Sequence, residues 1–108
     1  MKMNKHQATI IIGTILLSFT TGCATKPVDK QSRNMAASCA ACHGTNGNSL
    51  GGTPVLAGMG KTYFITQMKE FKSGARPATV MHQHAKGYSD EEIEKLATFF
   101  SAQNPGAK

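Results

Sequence analysis

Tryptophan is absent and aromatic side chains make up 6% of the chain, so 108 residues offer little bulky material for a core. A chain this short buries a limited core by itself. Cysteine occurs three times, with no second close pair beside Cys39 and Cys42. That weakens the reading as a structural zinc site, which takes four ligands, usually from two knuckles. The pair also lacks the strand–helix–strand context of a thioredoxin-like redox motif. No G-x-G-x-x-G occurs, and there is no room for a flavin domain. The longest mainly apolar run, Ala8 to Phe19, has twelve residues. A bilayer-spanning helix needs about 20. Basic residues outnumber acidic ones twelve to six but form no basic run, which argues against nucleic acid as a partner.

What is present centres on Cys39-Ala40-Ala41-Cys42-His43. This is a C-x-x-C-H run, the attachment pattern of a c-type haem. The two thiols add to the two vinyl groups on one edge of the porphyrin, and the two-residue gap lets one turn of chain present both sulfurs there. His43 then lies under the iron as an axial ligand. A disulfide between Cys39 and Cys42 would leave His43 unexplained. No internal repeat and no second C-x-x-C-H are present, so one covalent haem c is expected.

Thiol-linked haem is an export-side product, and the N-terminus agrees. Lys2 and Lys5 precede the run from Ala8 to Phe19, the layout of a signal peptide. Thr20, Thr21 and Gly22-Cys23 then resemble a bacterial lipoprotein cleavage site, with Thr20 where leucine is usual. Cys23 would become the lipidated first residue; cleavage nearby by an ordinary signal peptidase is the alternative. Residues 1–22 thus read as a signal peptide, 23–33 as a polar flexible tether, 34–104 as the domain and 105–108 as a tail. The expected location is the periplasm, anchored to the membrane by lipid. Losing Lys2 and Lys5 leaves ten basic against six acidic residues. That excess suits an acidic protein partner or an anionic surface.

Within the domain, Asn34 to Ala41 is compatible with a short helix running into the cysteine motif. Thr45 to Gly52 is loop by composition, and Pro54 disfavours helix at Thr53. Lys61 to Ser73 reads as a helix with Phe64, Met68 and Phe71 on one stripe and Gly74 as its stop. Arg76 to Gly87 shows no period and is expected to be a long connection. The last helix is written most clearly. Ser89-x-x-Glu92 is a capping box, and Ile93, Leu96, Ala97 and Phe100 form one apolar face before Asn104-Pro105-Gly106.

A carrier of electrons wants its iron coordinated on both sides, and a Met thioether is the usual partner to His. Met35 is too near Cys39 to reach the opposite face, and Met68 belongs to a core stripe. Met59, between two glycines, competes with Met81, which is favoured because a loop there can wrap the far side. His82 or His84 would give bis-His iron instead; the simpler reading makes them loop residues beside the crevice. The Nδ1–H of His43 also needs an acceptor, and a backbone carbonyl near Pro54 is the candidate.

Together, C-A-A-C-H-G-T-N-G-N, P-V-L-A-G-M, Y-F-x-x-Q-M-x-x-F, Met81 and A-K-G-Y-S-D-E-E-I resemble the small class I c-type cytochromes. Among these the chain is similar to the cytochrome subunits of flavocytochrome c sulfide dehydrogenases, over roughly residues 34–104. The resemblance implies an all-α, mono-haem cytochrome c fold whose N- and C-terminal helices cross beside the haem. It also implies that Cys39, Cys42 and His43 bind the haem, Met81 is its axial methionine and the Pro54 carbonyl supports His43. In such enzymes a flavoprotein takes electrons from sulfide and passes them to the cytochrome. A lipidated Cys23 departs from a soluble subunit and points toward a tethered carrier. The expected function is therefore single-electron transfer, not catalysis by the chain alone, with Lys61, Lys69, Lys72 or Lys86 steering redox partners. The alternative is a haem protein with an open iron site, gas-binding or peroxidatic.

Overall fold

Asp29 caps the first described helix. Its carboxylate accepts from the backbone N–H of Ser32 at 2.7 Å and the Ser32 hydroxyl at 3.1 Å, capping helix α1, Lys30–His43. A computed structural model describes residues 29–107, so the signal-peptide and Cys23 readings fall outside the described residues. A 3₁₀ turn, Thr45–Gly47, follows α1. Then come α2 (Lys61–Ser73), the short α3 (Met81–Lys86) and α4 (Asp90–Ser101), with no strand among the described residues.

Two expectations from the sequence need correction. Residues 30–33 are helical, not tether, because Asp29 supplies the cap and Ser32 is buried beneath it. The expected connection from Arg76 to Gly87 contains α3, beginning at Met81. Its six residues bury only Ala85 fully, so there is no stripe to read, and Val80 offers no capping side chain. Packing makes this helix; propensity and periodicity do not.

α4 organises the core. It packs on α1 and α2, and α2 packs on α3. Ile93, Leu96 and Phe100 are fully buried and meet Ala36 of α1, Phe64 and Met68 of α2, and Ala85 of α3 in one cluster. Phe100 stacks on Phe64 at 5.5 Å and meets the edge of Phe99 at 5.1 Å. Each such large side chain contributes about 1.5–3 kcal/mol by leaving water. The capping box is present: Ser89 N–H donates to Glu92 Oε2 at 2.8 Å, and Glu92 N–H donates to Ser89 Oγ at 3.2 Å. The N- and C-terminal helices are thus packed together around the expected apolar face, and Met68 lies in the core.

Candidate haem site

The last turns of α1 carry the chemistry. Cys39 and Cys42 are free thiols three residues apart, on one side of the helix. Cys39 is half-buried and Cys42 is exposed. Burial pushes the Cys39 thiol up from its ordinary range, so it stays protonated at neutral pH. Among the described residues, no three His, Cys, Asp or Glu side chains converge as a metal cluster.

His43 closes α1 and is 8% exposed. Its Nδ1 lies 2.7 Å from the Pro54 carbonyl oxygen. A carbonyl can only accept, so Nδ1 carries the proton, and in the neutral ring Nε2 then holds the lone pair. That is the tautomer a metal-bound imidazole requires.

The Pro54 loop is pinned on both sides. The Thr53 hydroxyl donates to the Cys42 carbonyl. Ser49 in turn donates its hydroxyl to Thr53 Oγ1 at 2.8 Å, because the proton of Thr53 is already committed. Beyond the proline, Leu56 and Ala57 donate their N–H groups to the Gly47 carbonyl at 2.9 and 3.2 Å. Gly47 has φ +79, and a Cβ there would lie 2.8 Å from Leu56 Cβ and 2.9 Å from Phe100 Cδ1. No other residue fits that turn without displacing the core. Sequence reasoning missed Thr53; a hydroxyl residue before a proline is too common to signal a clamp.

The structure thereby joins Cys39, Cys42, His43 and Pro54 through α1 and its attached loop. Met81 sits elsewhere, at the first position of α3, part-buried against the core. Met59 is also part-buried against that core. His84 is exposed. His82 is part-buried, lines a cleft with Arg76, Pro77 and Lys86, and has a buried Nδ1 without a partner. Val55, next to Pro54, is 44% exposed, and Val80, next to Met81, is 54% exposed. Two thiols, a poised imidazole and uncovered apolar side chains beside both candidate ligand segments suit a flat apolar group bound through sulfur.

Residues 30–103 match the cytochrome c family. This chain belongs to that family. The cytochrome is similar to the cytochrome subunit of sulfide dehydrogenase from Chlorobaculum tepidum, 46% identical over 86 residues, covering 75% of this chain and 78% of that one. It is 43% identical over 75 residues to the thiosulfate dehydrogenase electron acceptor of Thiomonas intermedia, covering 68% of this chain and 35% of the relative. Cytochrome c4 of Azotobacter vinelandii is 33% identical, with coverage of 95% and 52%. The chain therefore spans most of the first relative and between a third and about half of the other two. It is an electron-transfer cytochrome with covalently attached haem c. Bound haem supplies an iron that exchanges single electrons between ferric and ferrous states. No helix among the described residues is long and apolar enough to cross a membrane.

Proposed function

We propose that this cytochrome is an exported, mono-haem carrier of single electrons. Cys39 and Cys42 form the thioethers, and His43 and Met81 are the axial ligands. The carrying observation is the His43 Nδ1–Pro54 hydrogen bond, which leaves Nε2 as the lone ligand atom of a buried imidazole. Met81 is favoured over Met59 by its place beside half-exposed Val80 and by its distance along the chain from His43. Two ligands that stay bound in both oxidation states keep the geometry nearly unchanged when an electron arrives.

The donor proposed is a flavoprotein that oxidises sulfide, supported by the similarity to the cytochrome subunit of sulfide dehydrogenase. No G-x-G-x-x-G lies in these 108 residues, which would supply the electron-accepting half of such an enzyme. Lipid on Cys23 would hold it at the periplasmic face of a membrane.

The intact mass of native protein reports haem count and lipidation together, and a mass without covalent haem overturns the proposal. For the ligand, Met81→Ala is expected to abolish the Met–iron charge-transfer band at the red edge of the ferric spectrum. Met59→Ala should leave it intact; the reverse pattern reassigns the ligand. Rapid carbon monoxide binding by the untreated ferrous protein would indicate an open iron site and sink the carrier reading.

A further inference from the structure

α3 is too short to hold itself. It has six residues, no side-chain cap at Val80, and glycine directly after it. Isolated helices of this length do not persist in water. Its position must therefore come from its neighbours. On the entry side, Arg76 fastens the chain to α2. Its N–H donates to the Glu70 carbonyl at 3.2 Å, its Nε donates to Glu70 Oε2 at 2.9 Å, and its guanidinium lies 5.7 Å over the Phe71 ring. In the middle, Ala85 is fully buried in the shared core.

The exit side differs, because it reaches α1. Tyr88 N–H donates to the Ala85 carbonyl at 3.2 Å, tying the residue to the end of α3. The Tyr88 carbonyl accepts from Lys72 Nζ at 2.8 Å, and its ring packs against the core. The Tyr88 hydroxyl lies 2.8 Å from Ser38 Oγ. Ser38 commits its own proton to the Met35 carbonyl at 2.8 Å. Tyr88 is therefore the donor, and the order runs Tyr88 to Ser38 to the α1 backbone. Ser38 directly precedes Cys39. The bond thus spans from the element that carries Met81 to the helix that carries Cys39, Cys42 and His43.

We infer that Tyr88 is a positioning residue for the sixth ligand, holding the Met81 segment closed against α1 through its hydroxyl on Ser38. The inference rests on the His43 and Met81 ligation proposed above. Its logic is a difference between two states. In this structure residues 81–88 and α1 stand at the spacing that the bond requires. An opening that carries α3 away from α1 as the thioether leaves breaks this bond. The hydroxyl therefore favours the closed state by its own net strength.

The test uses the haem-loaded protein, its covalent haem checked by mass. Carbon monoxide reaches ferrous iron only through the Met-off state, so its association rate reports that population. Tyr88→Phe is expected to raise the rate roughly two- to tenfold, the range a single hydrogen bond supplies. It should also lower the temperature at which the ferric charge-transfer band is lost. Ser38→Ala removes the same bond from a helical site where alanine is well tolerated, and should match it. This second variant decides the question if Tyr88→Phe fails to fold. The double variant should be no faster than either single one, because both remove one bond. A Tyr88→Phe or Ser38→Ala protein with wild-type rate and band, or a double variant showing the product of both effects, overturns the inference while leaving Met81 as ligand. A wild-type protein without the band removes the ligation reading and this inference together.

Discussion

The two sides of the haem crevice are built differently. On the His43 side, the imidazole ends a fourteen-residue helix with a capped start, and its Pro54 acceptor sits in a loop pinned by Thr53 and Gly47. On the Met81 side, the residue opens a six-residue helix without a side-chain cap, beside a half-exposed valine. One side fixes an imidazole by backbone and hydroxyl contacts that need no haem. The other depends on packing, on Tyr88 and on the group it would bind. Under the proposed ligation, the carrier would keep His43 in place in every state and concentrate its mobility on Met81.

Hydrogen exchange is the direct way to break that contrast, and it should show the largest effect. In the haem-loaded protein, amides of Leu96, Ala97 and Phe100 are expected to exchange only on global unfolding, because their side chains are almost fully buried. Amides of Gln83 and His84 donate to the Val80 carbonyl at the start of α3. These should exchange at least about a hundredfold faster, through local opening. Equal protection in α3 and α4 would show that the Met81 side does not open locally.

The same contrast governs what could be read from the sequence. Cys39, Cys42 and His43 announce themselves because their spacing is the chemistry. The capping box at Ser89 and the stripe of Ile93, Leu96, Ala97 and Phe100 are legible because α4 obeys local rules throughout. α3 was hidden because it satisfies none of them. The start of α1 was missed for a different reason. Asp29 caps it, but Lys30 to Arg33 is polar and has no apolar period, and its one buried residue is Ser32. The Pro54 carbonyl was within reach of reasoning from the needs of His43. The Thr53, Ser38 and Tyr88 hydroxyls were not, since each acts across a distance in sequence that no local pattern marks.

Thr53→Val sharpens the His43 side. The change keeps the shape and removes the hydroxyl that donates to the Cys42 carbonyl and accepts from Ser49. The site is exposed, so water can replace part of what is lost. A cost of about 0.5–1 kcal/mol is expected, read by denaturant unfolding of the haem-loaded protein. The Met–iron band should be unchanged, because the loop serves the other face. If that band weakened as much as in Tyr88→Phe, the two sides would be one mechanical unit.

The smallest effect concerns charge at the junction of the two sides. Lys72 and Lys69 reach Asp90 at 3.1 Å each, and these contacts hold its carboxyl below the usual carboxylate range. For a depressed carboxyl the unfolded chain takes up a proton first, so stability falls as acid is added. The contribution is fully present above the ordinary pKa of Asp, about 3.9, and disappears as pH drops through the lower folded value. Asp90→Asn should therefore lower Tm slightly at neutral pH and converge with the wild-type value in acid, which flattens the acid limb below about 4. Added salt should shrink the difference further, since the pair is exposed. Lys72 also donates to the Tyr88 carbonyl, so a broken ion pair frees one of the two contacts that seat its ammonium. If Asp90→Asn also raised the carbon monoxide association rate, the exit from α3 would be held by charge as well as by the Tyr88 hydroxyl. An unchanged rate would confine Asp90 to the stability of the α2–α4 corner.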